Sequence, residues 1–458
     1  MIEVVQAFDR QPITSLPGDD EAALERKLTT AARLLADRTH WLEKYEKIEI
    51  LNRLGDLVES RRETFGHLIA REGGKPLTDA LVETDRAIDG IRNAADMLRV
   101  SAGAEIPMGM TRASAGRRAF TIHEPIGVVA AVSAFNHPLN LIVHQVAPAV
   151  AVGCPVIVKP ATATPLCCFE LVGLLTEAGL PEGWVQTFLP EKRGLSEALV
   201  TDPRIAFLSF IGSAKVGWSL RSKLAPGARC ALEHGGVAPV IVDRKADLDR
   251  VIEPLVKGGY YHAGQVCVSV QRIYVHEALE EEFLKRFSAR VSALKVGDPL
   301  LPETEVGPLI HPSEVTRVAA WTDEAVAGGA RLMGGGRHSE TTLMPGILVH
   351  PPRNAKVSTL EAFGPITCVY AFQHLDEALA AANSLPVAFQ SSIFTEDLRT
   401  AFYAAERLDA STVLVNDHTA FRTDWMPFRG RRESGYGIGG IPYTMREMTA
   451  EKMIVFKN

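Results

Sequence analysis

From Gly127 onward the chain alternates short, β-branched apolar runs with stretches of helical periodicity, and this alternation restricts the fold more than any other feature. Val128–Ala134, Pro155–Val158, Val185–Leu189 and Ala206–Phe210 read as strands, with Pro165–Ala178 and Ala214–Leu224 as helices between them. A strand apolar at nearly every position has both faces covered, which is the signature of a parallel sheet with helices on either side. A second series follows: a helix over Leu248–Ala263, a strand at Arg272–His276, a helix over Leu279–Leu294, and strands at Thr367–Phe372, Ser392–Thr395 and Val413–Asn416. Two such units suit 458 residues, more than one core usually serves. The first hundred residues are mostly helical in pattern. Ala23, Leu24, Leu28, Ala31 and Leu35 share one face, and Leu51, Leu54, Val58, Phe65 and Leu68 suit a second helix. The pattern places a boundary near Gly235–Gly236.

Charge and cysteine usage narrow the classes of partner. A formal net charge of -6 leaves no basic field for nucleic acid or an anionic membrane surface. The N-terminus, MIEVVQAFDRQP, lacks a basic stretch followed by an apolar one, and no run of about 18 apolar residues occurs, so neither a leader nor a membrane span is expected. Cys167 and Cys168 are adjacent, and Cys154, Cys230 and Cys368 lie in or beside apolar runs, so these read as buried thiols of a cytoplasmic protein. Cys267 sits differently.

Gly435, Gly437 and Gly440 have the spacing G-x-G-x-x-G, but only 18 residues follow Gly440, too few for the strand–helix–strand unit that gives such glycines a dinucleotide to hold. They read as turn or loop glycines. Four other segments make sense together: FNHP (Phe135–Pro138), VIVKPAT (Val156–Thr162), LEHGG (Leu232–Gly236) and GQVC (Gly264–Cys267). With FIGSAKVG (Phe210–Gly217), EAFGP (Glu361–Pro365) and the ESGYG stretch (Glu433–Gly437), the chain resembles the aldehyde dehydrogenase superfamily in order and approximate spacing over nearly its whole length. The resemblance implies an α/β fold: a variant Rossmann nucleotide-binding domain at 1–105 and 126–235, a catalytic domain at 236–430, and an oligomerisation arm formed by 106–125 with the tail 431–458. It also implies a homodimer or homotetramer, no metal, and oxidation of a small aldehyde to its acid with NAD or NADP as hydride acceptor.

An aldehyde gives up hydride only after a nucleophile adds to its carbonyl, and a thiolate suits this step because the resulting thioester can still be hydrolysed. Cys267, in the family's nucleophile motif, is the expected nucleophile; Asn136 is the expected donor to the oxyanion, joined by the backbone N–H of Cys267. Glu233 is the expected base for thioester hydrolysis. Its presence separates this chain from coenzyme-A-acylating members of the fold, and the retained Cys267 and Asn136 separate it from a non-enzymatic descendant. His234 follows, where the family usually has Leu.

For the dinucleotide, the resemblance places Gly212 and Ser213 at a helix start near the pyrophosphate, Lys159 on the adenosine ribose, and Glu361 with Phe363 at the nicotinamide end. Thr162 stands where many NAD-specific relatives carry Glu, so nothing there repels a 2′-phosphate and NADP is allowed. The nearest group is the bacterial lactaldehyde and phosphono-aldehyde dehydrogenases, on the strength of FNHPLN and NDHTAFRTDWMPF. Within it Arg86, on the second or third N-terminal helix, His137 and Arg422 are candidates to meet an anionic substrate tail, with a salt bridge or a packing role as the plain alternative for each. Arg429, Arg431 and Arg432 crowd a region that usually holds more glycine.

Overall fold

In the computed structural model, which describes residues 1–457, the apolar runs after Gly127 assemble into a six-stranded sheet. Its order is Gly435–Tyr436, Arg229–Glu233, Ile205–Ile211, Val128–Val132, Val156–Lys159, Val185–Thr187, all parallel except the first. Every residue of Val128–Val132 is buried, as the unbroken apolar run requires. From this strand the chain first builds outward on one side, through Val156–Lys159, then returns to lay Ile205–Ile211 on the other. The loops leaving Val128–Val132 and Ile205–Ile211 therefore diverge, and the reversal opens a crevice beyond the strands' carboxyl ends.

The second series forms a seven-stranded sheet, ordered Arg331–Gly334, Gly346–Val349, Ile366–Phe372, Val270–His276, Ala238–Val242, Gln390–Phe394, Thr412–Val415, antiparallel only between the first two. The fold class expected from the sequence is thus observed: α/β, with parallel-rich sheets. A third sheet is antiparallel, pairing Thr449–Lys457 with Arg117–Pro125 and that strand with Glu105–Ile106. Before reaching it, the C-terminal segment contributes Gly435–Tyr436 to the first sheet and the helix Ile441–Glu447, whose Ile441 and Met445 join the core over the first sheet.

Two details of the N-terminal region correct the sequence reading. Ile2–Val5 and Pro12–Leu16 form a hairpin, too short to show a period. The single second helix is two, Lys44–Ser60 and Arg62–Gly73, broken where Arg61 leaves helical geometry at φ -110, ψ 19. Phe65 and Leu68 thus pack from a different helix than Leu51, Leu54 and Val58, and Arg86 lies on the fourth helix, Leu77–Val100.

These helices reach under the first sheet with buried carboxylates. Glu72 accepts from the backbone of Leu166 (2.8 Å) and Cys167 (3.1 Å), capping the helix Leu166–Glu177; burial pushes its pKa up to about 7. Glu83 accepts from Leu139 (3.0 Å) and Asn140 (3.1 Å) at the start of Asn140–Val152 and pairs with the fully buried Lys75. Helix N-termini carry unsatisfied donors and positive potential, so a carboxylate is the fitting partner. Glu83→Ala is expected to cost about 3–5 kcal/mol in urea unfolding, because it strands a buried ammonium and two N–H groups. Glu83→Gln with Lys75→Met, which removes both charges and keeps the acceptor, should recover most of that loss.

Candidate active site

The crevice at the strand reversal is a cavity of about 580 Å³, and the twelve residues given catalytic, cofactor or substrate roles in the sequence line it. Asn136 and His137 come from the loop after Val128–Val132, Lys159 and Thr162 from the end of Val156–Lys159 and its loop, Gly212 and Ser213 from the turn after Ile205–Ile211, and Glu233 from the end of Arg229–Glu233. Cys267, Glu361, Phe363 and Arg422 arrive from segments of the second sheet, and Arg86 from the long N-terminal helix.

The nucleophile loop is held in an uncommon backbone path. After the helix Leu248–Tyr260, three successive residues are left-handed: His262 (φ 48), Ala263 (φ 53) and Gly264 (φ 71). At Gly264 a Cβ would overlap the carbonyl oxygen of Gly364, so glycine is required for contact as well as conformation. Gln265 then braces the loop: its Nε2 donates to His262 O and Pro308 O, both at 3.2 Å, and its Oε1 accepts from Ile310 N at 2.9 Å. Its backbone oxygen accepts from Asn136 Nδ2 at 3.0 Å, and Cys267 O accepts from Gly236 N at 3.2 Å. Of the six free cysteines five are buried, and Cys267 alone keeps partial exposure. Burial pushes its thiol up to about 12, with the carboxyls of Glu361 and Glu233 acting in the same direction and the Arg422 guanidinium against it.

Asn136 has two amide N–H bonds, and the bond to Gln265 O uses one. The Glu233 carboxyl has no hydrogen-bond partner among the described residues; burial raises its pKa and Arg422 opposes the rise. Burial likewise pushes Glu361 up to about 8, and its Oε1 is buried without a partner. Phe363, at φ 46, sets its ring edge-on to Phe135 with centroids 5.8 Å apart. Ser213 precedes the helix Ala214–Arg221, whose first N–H groups are free for an anion. Lys159 donates to Pro160 O at 3.0 Å, and Thr162 is exposed at the cavity edge. A buried, unpartnered carboxyl oxygen at one end and free helix donors at the other fit a dinucleotide.

The substrate end differs from the sequence expectation. Arg86 donates through Nε (3.1 Å) and Nη2 (2.8 Å) to the two oxygens of Asp424, the ion pair named as its plain alternative, so the Nε/Nη2 edge of its guanidinium is occupied. Asp424 also accepts from Asn140 Nδ2 (3.0 Å) and His144 Nε2 (2.6 Å). With Nε2–H committed to Asp424, His144 Nδ1 accepts from Arg422 Nη2 at 3.2 Å. Burial works against ionisation of Asp424, but His144, Arg86 and Arg422 hold its carboxyl well below the usual range. Arg422 itself touches no carboxylate. Its guanidinium carbon lies 3.5 Å from the Phe428 ring centre, and its Nε is buried without a partner. His137 is buried, bonded to Tyr261 OH at 3.3 Å, and driven well below its ordinary pKa by burial and the cations around it, so it can meet a tail only as a neutral group.

Asp424, His144, Asn140 and Tyr261 were not singled out in the sequence. Asn140 and His144 are one helical turn apart on the same face, and Asp424 lies two residues beyond Arg422; this spacing was the available signal. His234 Nδ1 donates to Gly212 O (2.8 Å), with the ring between Phe210 and Trp218, which pins the turn at Gly212. Arg431 and Arg432 pair with Asp409 and lie outside the main cavity, as does the exposed Arg429. Gly435 sits in an edge strand and Gly440 precedes the helix Ile441–Glu447, which agrees with rejecting a phosphate loop there.

The sequence profile described as the aldehyde dehydrogenase family matches residues 1–454. A 3-sulfolactaldehyde dehydrogenase from Priestia aryabhattai is 34% identical over 454 residues, covering 99% of this chain and 94% of the relative. Aldehyde dehydrogenase 21 from Physcomitrella patens, solved in complex with the reaction product succinate, superimposes with TM-score 0.96 at 34% identity, covering 100% of this chain and 95% of that one. A glyceraldehyde-3-phosphate dehydrogenase from Methanocaldococcus jannaschii complexed with NADP gives TM-score 0.95 at 31% identity, covering 100% and 99%. With its fold and nearly its whole length matching, this chain belongs to the aldehyde dehydrogenase family.

Proposed function

We propose that the protein oxidises a small aldehyde with an anionic tail to the carboxylic acid, through a thioester on Cys267, with NAD or NADP as acceptor. The observation that carries this reading is one cavity holding Cys267, Asn136 and Glu233 beside a half-buried cation, Arg422, that no carboxylate contacts. Sulfolactaldehyde and succinate, named for a relative and bound in a neighbour, both carry such an anion.

Cys267 loses its proton and its sulfur adds to the carbonyl carbon. The oxygen that becomes negative receives the second N–H of Asn136 and the backbone N–H of Cys267, donors fixed before the charge develops. The dinucleotide, when bound, supplies the hydride acceptor; Lys159, Thr162, Gly212, Ser213, Glu361 and Phe363 would hold it. Loss of hydride leaves the thioester. Glu233 then takes a proton from water, the hydroxide adds to the acyl carbon, and the C–S bond breaks to free the acid and the thiol. Glu233 in the cavity favours hydrolysis over transfer to coenzyme A. Arg422 orients the tail so that the carbonyl faces the sulfur.

The assembly belongs to the same reading. Phe120, Met453, Val455 and Phe456 are exposed on the antiparallel sheet, with the rings of Phe120 and Phe456 stacked at 6.1 Å. This apolar surface supports 106–125 and the C-terminal strand as an arm of a homodimer or homotetramer. The nucleotide-binding domain is 1–105 with 126–235 and the catalytic domain 236–430. Six free cysteines suit a reducing, cytoplasmic setting.

Cys267→Ala should abolish oxidation while NADP still binds by fluorescence titration. Glu233→Gln should keep a burst of reduced cofactor, lose steady turnover, and leave an acyl adduct on Cys267 in intact-mass spectra; Asn136→Ala should cost roughly 10²–10³ in turnover. Loss of burst and steady rate together, without adduct, would place Glu233 at an earlier step. Thr162→Glu should lower kcat/KM for NADP relative to NAD, since a carboxylate repels the 2′-phosphate; an unchanged ratio removes Thr162 from the ribose site. Arg422→Ala should cost succinic semialdehyde roughly 10- to 100-fold in kcat/KM, the worth of a hydrogen bond to a charged group, and propanal little. Arg86→Ala should instead lower thermal stability, because Asp424 loses its bidentate partner. A wild type that prefers propanal would sink the anionic-tail assignment.

A further inference from the structure

The Glu233 carboxyl rests against a backbone crossing at Gly439, which bears no side chain. Phe428 and Gly439 form an isolated antiparallel bridge, Phe428 N donating to Gly439 O at 3.0 Å and Gly439 N to Phe428 O at 2.6 Å. A Cβ added at Gly439 would overlap Glu233 Oε1 and come within 3.0 Å of both Glu233 Cδ and Phe428 O. Gly437 and Gly440 on either side have positive φ, at 74 and 94, but Gly439 does not. The backbone at 439 would therefore accept alanine, and what excludes a side chain is chiefly the carboxyl of Glu233.

We propose that Gly439 is a positioning residue: its missing side chain makes the slot in which the Glu233 carboxyl rests, set into the cavity wall until it turns toward the thioester. The proposal rests on Glu233 acting as the water-activating base. Slot and base are tied together by the local architecture. Gly435 and Tyr436 pair with Glu233 and Leu232, and His234 N donates to Ser434 O at 3.0 Å, so the segment carrying Gly439 is registered against the strand carrying Glu233. The charged and titratable groups facing Glu233 are the Arg422 guanidinium, from the segment that also supplies Phe428, and the Cys267 thiol. In the slot, burial outweighs Arg422 and favours the protonated acid. A carboxyl displaced toward the cavity is relieved of part of that burial and stays ionised to lower pH.

The test is Gly439→Ala in the full-length enzyme, reading the deacylation rate of preformed acyl-enzyme against pH. The acidic limb is expected to move down by about half to one pH unit, with the hydride-transfer burst and NADP affinity unchanged. A folded Gly439→Ala variant whose limb stays in place overturns the slot. If instead Glu233→Gln retains the wild-type limb, the base assignment itself fails, and the two failures are told apart. A thermal cycle covers the case in which the variant folds poorly. Gly439→Ala should lower Tm in the wild-type background and much less in Glu233→Ala, where the slot is empty. Equal losses in the two backgrounds, or failure to fold in both, overturn the proposal.

Discussion

The hydrogen bond from Asn136 Nδ2 to Gln265 O, 3.0 Å long, joins the two sheets at the point where the proposed chemistry occurs. It runs from the loop leaving the central strand of one sheet to the loop that delivers Cys267 to the other. Both loops are largely buried, so their polar groups need partners, and several of these come from distant segments. Glu83 anchors the Asn136 side through the backbone of Leu139 and Asn140; the Gln265 side chain anchors the Cys267 side through Ile310 and Pro308. The left-handed turn at His262–Gly264 is tolerable only because these contacts over-determine it.

The same burial sets the charges. Cys267, Glu233 and Glu361 are each pushed toward the neutral form, while Asp424 keeps its charge because three hydrogen-bonding side chains converge on it. Asp424 thereby divides two arginines that look equivalent in the sequence. One is neutralised by a bidentate pair; the other is linked only through a neutral imidazole, and its charge remains directed at the cavity. The cavity thus carries a guanidinium on that side and, on the other, two carboxyls that burial biases toward the neutral form.

Much of this was legible in the chain. Unbroken apolar strands predicted the parallel sheets, and the short segments FNHP, VIVKPAT, LEHGG and GQVC marked the loops that converge, because chemistry and close backbone approach tolerate few residue types there. The break at Arg61 was not legible, since an apolar face continues across it and only the local dihedrals change. Asp424 escaped notice because a single acidic residue carries no signal until its partners, from sequence positions up to 338 residues away, are known.

By itself, the sequence determined which residue types were available: the thiol, the amide, the carboxyls, and the glycines that let backbone pass close to backbone. Tertiary structure decided which of them face one another. Arg86 is paired with Asp424 and Arg422 is not, and Gly439 has Glu233 lying against it. Pairwise contact between distant segments fixes desolvation and partner choice, and neither of these is a property of a residue's neighbours in the chain.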